Sequence, residues 1–557
     1  MAKQQRFAMV AGIGGMMRLL SLLGTMSLFV SGALAQPLSP TAPFVIDRAR
    51  SDRAPENPAP TPAEPVPVPP PENANAAITA FVLKGVRIQG TSLPAPILTD
   101  ATRGFIGKTM TSAGDLTQVA QSVSNAYGNN GAIALYTITI AAQDFADGIM
   151  TLSVTEGFIE HVELRGDTDG DVTAVVAMAD RLTKERPLRR ATLQRYLSLI
   201  RDLPGLTAEA QMLRGQTPGA VRLVLTLNQK PYALALTLNT GGNALLGRTQ
   251  IQADFSYYNL LRQGEETKFS FGTSTVFSRY QYYGVSHSEL LNEDGTRAAF
   301  GYGYMRTDVG AIALSGQAQT LQLSLTHPVI RGFEENLTLG ASLDGLDASN
   351  ALFGTLLSSE HIRTLRLSGT YSLAEARSAL TLSANLSQGL GIFDARSLFG
   401  DTGFHKLLVQ GAFNRLLTEE WVVRLRAAAQ VSGGPLPITE LFSLGGPDFG
   451  RAFLTSAALG DQAIAGALEI GFLPRNLPGL LAGLEVFGFA DQGAAWLDGR
   501  GLPASSQSHL ASAGAGLRLP LGKDTRLEFT GAHRLAASVP GQRAGGWLLL
   551  AGLSTKF

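Results

Sequence analysis

Residues 321–326 read LQLSLT, with three leucines at every second position and Gln322, Ser324 and Thr326 beside them. A period of two marks a strand with one apolar and one polar face. The same alternation recurs further along the chain. Leu337, Leu339 and Leu343 stand against Thr338, Ser342 and Asp344; Leu365 and Leu367 stand against Arg366 and Ser368; Trp421, Val423 and Leu425 stand against Arg424 and Arg426. A soluble sandwich also alternates, so the pattern alone leaves two architectures open. The length of the array separates them. From Pro231 onward helical periodicity almost vanishes, and at ~20 residues per strand and connection the span 231–557 makes about sixteen strands, an even number suited to a membrane barrel. In the last pattern Trp547, Leu549, Ala551, Leu553, Thr555 and Phe557 fall on one face, with an aromatic as the final residue.

Composition points the same way. Charged residues make up only 16% of 557 while glycine numbers 62, too little charge for a soluble enzyme of this size. A lipid-facing barrel needs an apolar residue only at every second position. Formal net charge is zero, which gives no footprint for a nucleic-acid partner. Cysteine is absent, so disulfides and thiolate metal sites are excluded.

Lys3, Arg6 and Arg18 precede an apolar run over 19–34, and Ala33-Leu34-Ala35 has the small-x-small form of a cleavage site. Residues 1–35 therefore read as a signal peptide. Residues 36–79 are dense in Pro, Ala and Glu and read as an extended linker, in which 44–53 is the one candidate for a short helix.

Periodicity begins at Ala80. A strand pattern over 81–90 is followed by Leu116, Val119, Ala120, Val123 and Tyr127 at helical spacing, stopped by Gly128, and then by strand patterns over 134–140 and 150–156. The order repeats: Val162 and Leu164 alternate with charges over 159–165, Leu193, Tyr196, Leu197 and Ile200 form a helical stripe, and Leu223, Leu225 and Leu227 close a final strand. Two small α+β units, 80–157 and 158–230, thus precede the barrel region 231–557.

Two further segments carry the functional signal. Residues 444–453 read LGGPDFGRAF, a Gly-rich turn running into an arginine with an aromatic two positions later; residues 489–493 read FADQG, a strand with one carboxylate between Phe and Gly. Together they resemble the paired motifs of outer-membrane two-partner secretion transporters, the haemolysin secretion/activation family. The segment 142–166, AQDFADGIMTLSVTEGFIEHVELRG, resembles that family's junction between two polypeptide-transport-associated (POTRA) domains. The resemblance implies that Arg451, near the tip of the sixth surface loop, folds into the barrel and pairs with Asp491. It assigns Gly445, Gly446, Pro447, Gly450 and Phe453 to the loop motif and Phe489 and Gly493 to the wall motif. It also implies that 36–79 can hold a plug helix, and that Trp547 and Phe557 belong to a terminal signal read by the barrel-assembly machinery. One departure is visible: Ala452 stands where the family has Gly after the arginine.

Chain geometry is compatible with that role. Counted from Pro231, the segment 434–462 falls between the eleventh and twelfth strands, so its loop starts on the cell-surface side if the α+β units are periplasmic. Each arm has about fourteen residues and reaches ~45 Å when extended, against an apolar band ~25 Å tall. Asp491 shares a strand face with Phe489 and Gly493, and a carboxylate facing lipid costs roughly 2–4 kcal/mol, so that face looks into the lumen. In a wet lumen an Arg451–Asp491 pair is worth about 1 kcal/mol and acts chiefly by fixing the loop tip.

No nucleotide-binding Gly-Lys-Ser loop appears, the seven histidines lack metal-ligand spacing, and no nucleophile, base and orienting group come together. The chain reads as a non-enzyme without metal or cofactor, set in outer-membrane lipid. The resemblance implies a transporter that takes an unfolded partner exoprotein, a large β-helical haemolysin or adhesin, through the barrel without ATP. Two other readings stay open: a membrane-protein insertion factor of the same superfamily, which usually carries more POTRA domains, and a passive porin or adhesin.

Overall fold

The computed structural model describes residues 79–140, 143–168, 170–242, 246–310, 313–500, 505–539 and 543–557. The signal peptide, its cleavage site, the linker and the plug candidate at 44–53 all lie outside the described residues, save for the linker's last position.

In the first unit, helices α1 (Ala95–Arg103) and α2 (Ala113–Asn130) pack on a three-stranded sheet. Its central strand Ile149–Glu156 runs parallel to Gly85–Gln89 and antiparallel to Tyr136–Ile140. Leu116, Val119, Val123 and Tyr127 bury one stripe of α2 against Met150, Leu152 and Val154. Ser112 starts α2 through a reciprocal cap with Asp115. Gly128 does not stop this helix, contrary to the sequence reading. It is carried through, and the helix ends at Gly131, whose φ of 68° lets its N–H return to the Tyr127 carbonyl at 3.1 Å. The expected strand 81–90 is two strands, because the Leu83 N–H turns aside to the Lys108 carbonyl.

The second unit repeats the topology. Strand Phe158–Gly166, helices α3 (Thr173–Thr183) and α4 (Arg190–Arg201), and strands Leu206–Arg214 and Ala220–Gln229 follow in order, with the last strand central. Leu223, Leu225 and Leu227 are all buried. Sequence periodicity missed α3, whose buried stripe Val175, Met178, Ala179 and Leu182 is blurred by the apolar Ala174, Val176 and Ala177 beside it, and missed the edge strand Leu206–Arg214, whose alternation lapses after Ala208. A single residue, Gly157, joins the units; it donates to Leu135 at 2.7 Å and accepts from Leu188 at 2.9 Å.

Beyond Pro231, sixteen antiparallel strands close into a barrel among the described residues, from Tyr232–Asn239 to Trp547–Lys556, which pair with each other. Leu321, Leu323, Leu325, Leu339, Leu343, Leu367, Trp421 and Leu425 are exposed on the outer face, a continuous apolar surface that suits lipid. Gln322, Asp344, Arg366, Arg424 and Arg426 take the alternate positions and face inward. Trp547 and Phe557 are exposed at 69% and 68%, on the outer face of the closing strand. Because Ala220–Gln229 runs into Tyr232–Asn239 with only Lys230 and Pro231 between, the α+β units sit at the hairpin-turn end of the barrel. The connection between the eleventh strand (Trp421–Ser432) and the twelfth (Gln462–Phe472) therefore begins at the opposite end.

Candidate functional site: the loop inside the barrel

Residues 433–461 do not project into solvent. Their first arm carries a one-turn helix, Ile438–Glu440, and then Phe442–Leu444 pairs antiparallel with Ala458–Gly460. At the tip Gly445, Gly446 and Gly450 have φ of 98°, 96° and 89°, a region L side chains rarely enter. A Cβ on Gly445 would also lie 2.4 Å from the Leu454 carbonyl. Pro447 and Asp448 are the exposed apex, where Arg426 of the wall pairs with Asp448 at 2.9 Å.

The structure brings the two sequence motifs together. Asp491, on strand Glu485–Leu497, accepts the Gly450 N–H at 2.8 Å, the Arg451 N–H at 3.3 Å and the Ser512 hydroxyl at 2.5 Å. The Arg451 guanidinium lies 4.3 Å over the Phe489 ring and gives Nη1 to Glu469 Oε2 at 2.9 Å. Its Nε approaches Asp491 Oδ2 only to 3.9 Å. Each wall-motif residue thus has a separate contact. Phe489 supports the guanidinium, Asp491 holds the tip backbone, and Gly493 leaves room for Leu444, whose Cδ2 would lie 2.6 Å from any Cβ there.

Arg451 and Asp491 are 5% and 4% exposed, so the lumen is packed rather than wet at this level, contrary to the expectation of a solvated pair. Each keeps other partners when its neighbour is removed, Asp491 the Gly450 N–H and the Ser512 hydroxyl, Arg451 the Glu469 carboxylate, so neither charge is left uncompensated. Ala452 is wholly buried outside the positive-φ region, its N–H 3.3 Å from Ser512 Oγ, so the extra methyl fits here. Phe453 packs beneath Arg534, which donates to the Ala452 carbonyl at 3.0 Å.

Sequence reasoning missed the charges around this contact. Glu469 also receives Arg424 and Arg518, both of which reach Glu485, and Arg518 stacks 3.8 Å from the Phe487 centroid. Arg424 and Arg518 are the inward members of alternating strands beside lipid-facing Leu425 and Leu517, and that was the available signal.

A second set of buried charges holds the loop root. Glu440 pairs with Arg366 at 2.8 Å and Lys406 at 2.7 Å; Glu360 accepts the Ile438 N–H at 3.2 Å; Asp461 takes the Leu436 N–H at 2.6 Å and Arg500 at 2.5 Å. None of these groups is arranged as a nucleophile with its base. No cluster of three or more His, Cys, Asp or Glu able to hold a metal occurs among the described residues.

Comparison with known proteins agrees with this architecture. The profile described as "Haemolysin secretion/activation protein ShlB/FhaC/HecB" matches residues 219–519, and that of "POTRA domain, ShlB-type" matches 81–157. The heme/hemopexin transporter protein HuxB of Haemophilus influenzae is 22% identical over 276 residues, 47% of this chain and 48% of that protein, so the match spans about half the length of this curated relative. CdiB from Escherichia coli superposes with a TM-score of 0.69 at 20% identity, covering 89% of this chain and 94% of that one. CdiB from Acinetobacter baumannii superposes at 0.59 and 15% identity, covering 92% and 96%. At these identities the structural likeness speaks for the fold alone. The profile match, over more than half the chain, carries the assignment: this protein belongs to the haemolysin secretion/activation family ShlB/FhaC/HecB, outer-membrane barrels whose POTRA domains lie in the periplasm.

Proposed function

We propose that this protein exports an unfolded partner exoprotein through its barrel without ATP, and that loop 433–461 is the gate. The observation that supports this most is the placement of that loop: it lies inside the barrel against the wall and is held there by interactions that movement can break and remake, with Arg451 on Glu469 and Phe489 and the tip backbone on Asp491. A passive porin has no use for two POTRA domains.

The outer strands of the two POTRA sheets, Gly85–Gln89, Tyr136–Ile140, Phe158–Gly166 and Leu206–Arg214, suit capture of an extended secretion signal by strand addition. The partner fitting this reading is a large β-helical haemolysin or adhesin, whose folding outside the cell draws the chain outward. Trp547 and Phe557, exposed on the closing strand, suit recognition by the barrel-assembly machinery.

The test is co-expression with candidate large exoproteins encoded nearby, scoring surface or medium appearance for wild type, Arg451→Ala and a deletion of 80–230. Export lost in both variants with the barrel assembled supports the reading. Export indifferent to both refutes it.

A further inference from the structure

The second POTRA domain meets the barrel at three successive periplasmic turns, and at each the contact is specific. In the first turn (259–265) the Gln263 side chain accepts the Val175 N–H at 3.0 Å, while its backbone N–H donates to Asp171 at 2.9 Å. A barrel residue thereby satisfies one of the orphan amides at the start of α3. In the second turn (291–296) Asp294 accepts the Tyr196 hydroxyl at 2.8 Å, its carbonyl accepts Arg195 at 2.9 Å, and Glu293 pairs with Arg181 at 2.8 Å. At the third turn Arg331 forks onto both oxygens of Asp202 at 2.6 Å, and Ser198 donates to the Gly332 carbonyl at 3.2 Å.

The two-residue linker is also bonded on both sides. Lys230 donates to Gly205 in the POTRA domain at 2.8 Å, and Pro231 accepts from Tyr258 of the barrel at 2.8 Å. Gly205 lies so close to the Tyr258 ring that a Cβ would come within 2.6 Å. Neighbouring turns on one edge of a sheet are two strands, about 10 Å, apart, and the barrel's curvature keeps three of them off a single line. A body held at two points can still rotate about the line joining them. Three non-collinear points remove that rotation.

We propose that the second POTRA domain is a fixed platform of the barrel, held by Gln263, Asp294 and Arg331 as positioning residues, and that it stays in place while loop 433–461 moves. This deepens the export reading by separating the stationary part of the machine from the moving one. Cargo paired to the edge strand Leu206–Arg214 is then presented to the barrel mouth at a constant position, since that strand starts directly after Gly205 at the rim.

The chain has no native cysteine, so paired cysteines report cleanly. The full-length protein is placed in proteoliposomes and planar bilayers with no cargo present. Spin labels at Gln194→Cys and Gly332→Cys, which are in contact across the third turn, should give uniform dipolar broadening by continuous-wave EPR; an unbroadened fraction in the doubly labelled protein overturns the platform. A short bis-maleimide staple between the same pair should leave voltage-driven conductance steps within about twofold of the unstapled rate, whereas a staple between Gly241→Cys and Thr455→Cys, joining two loops in hydrogen-bond contact, should abolish them. Loss of the steps on stapling the turn overturns the platform, and steps that survive the loop staple count against the gate alone. Hydrogen exchange on the unmodified chain is an independent check. The Val175 amide should be protected like the α3 interior, and free exchange there contradicts the proposal.

Discussion

Asp491 and Arg451 meet chiefly through the loop backbone, with their charged groups 3.9 Å apart at the nearest. The carboxylate takes the Gly450 and Arg451 N–H groups, and the guanidinium passes on to Glu469. The two halves of the latch are therefore separable by substitution. Asp491→Asn retains one acceptor oxygen and should weaken the latch less than Asp491→Ala, which orphans two buried amides at about 1–3 kcal/mol each. Arg451→Ala and Glu469→Ala should couple in a double-mutant cycle by about 0.5–3 kcal/mol, as groups in direct contact do. Thermal unfolding of the four purified barrels measures this. Additive effects would mean that the 2.9 Å pair carries no energy.

Gly493 makes a different prediction because its role is space. Gly493→Val places methyl groups where the Leu444 side chain lies, and overpacking of this sort costs about 1–3 kcal/mol. The barrel should still assemble, since Gly493 sits on a regular ladder opposite Ala465, but the hairpin should be pushed out and resting conductance should rise. Leu444→Ala in the same chain should restore the low conductance. Failure of that rescue would place the strain elsewhere.

The root of the loop is held independently of its tip. Glu440→Ala takes a carboxylate from both Arg366 and Lys406; Arg366 keeps Asp344 at 2.5 Å, while Lys406 loses its 2.7 Å contact. Breaking a buried ion pair from one side costs about 3–5 kcal/mol, so the loop should open more readily even with the Arg451 latch intact. Bilayer recordings should show more frequent openings. If only tip variants change gating, the root charges are scaffolding.

What the sequence shows and hides about this site follows from where each constraint originates. Alternation along Leu321–Leu325 is imposed on a strand by lipid and lumen alone, so it can be read without knowing any neighbour. The same holds for the helical stripe of Leu193, Tyr196, Leu197 and Ile200. The loop was legible as a count of strands, placed at 434–462 against the observed 433–461. The charge cluster was not, because it depends on register: Glu469 lies opposite Arg424 on one side and Phe489 on the other, and Asp491 lies opposite Ser512. Those pairings exist only once the strands are aligned. Resemblance paired Arg451 with Asp491, and their charges do lie 3.9 Å apart, but no motif records that backbone amides take most of the carboxylate's hydrogen bonds. The cap supplied by Gln263 is equally invisible, being a contact between domains.

The POTRA–barrel joint carries a pH signature of its own. The Asp171 carboxyl accepts the Thr173 hydroxyl, the Gln263 N–H and the Thr173 N–H, and these hold it below the usual carboxylate range, with Arg262 nearby adding in the same direction. A carboxylate whose folded pKa is depressed stabilises the fold fully above its unfolded value, near ~3.9, and loses that contribution as pH falls through the lower folded value. Protection of the first amides of α3 against hydrogen exchange, corrected for intrinsic rate, should therefore be flat from about pH 8 to 5 and decline only below about pH 4. Asp171→Asn should remove the decline and lower protection throughout, because the substituted amide keeps only one acceptor oxygen for three donors. Loss of protection between pH 7 and 5 would point to a different titrating group and would remove Asp171 from the joint.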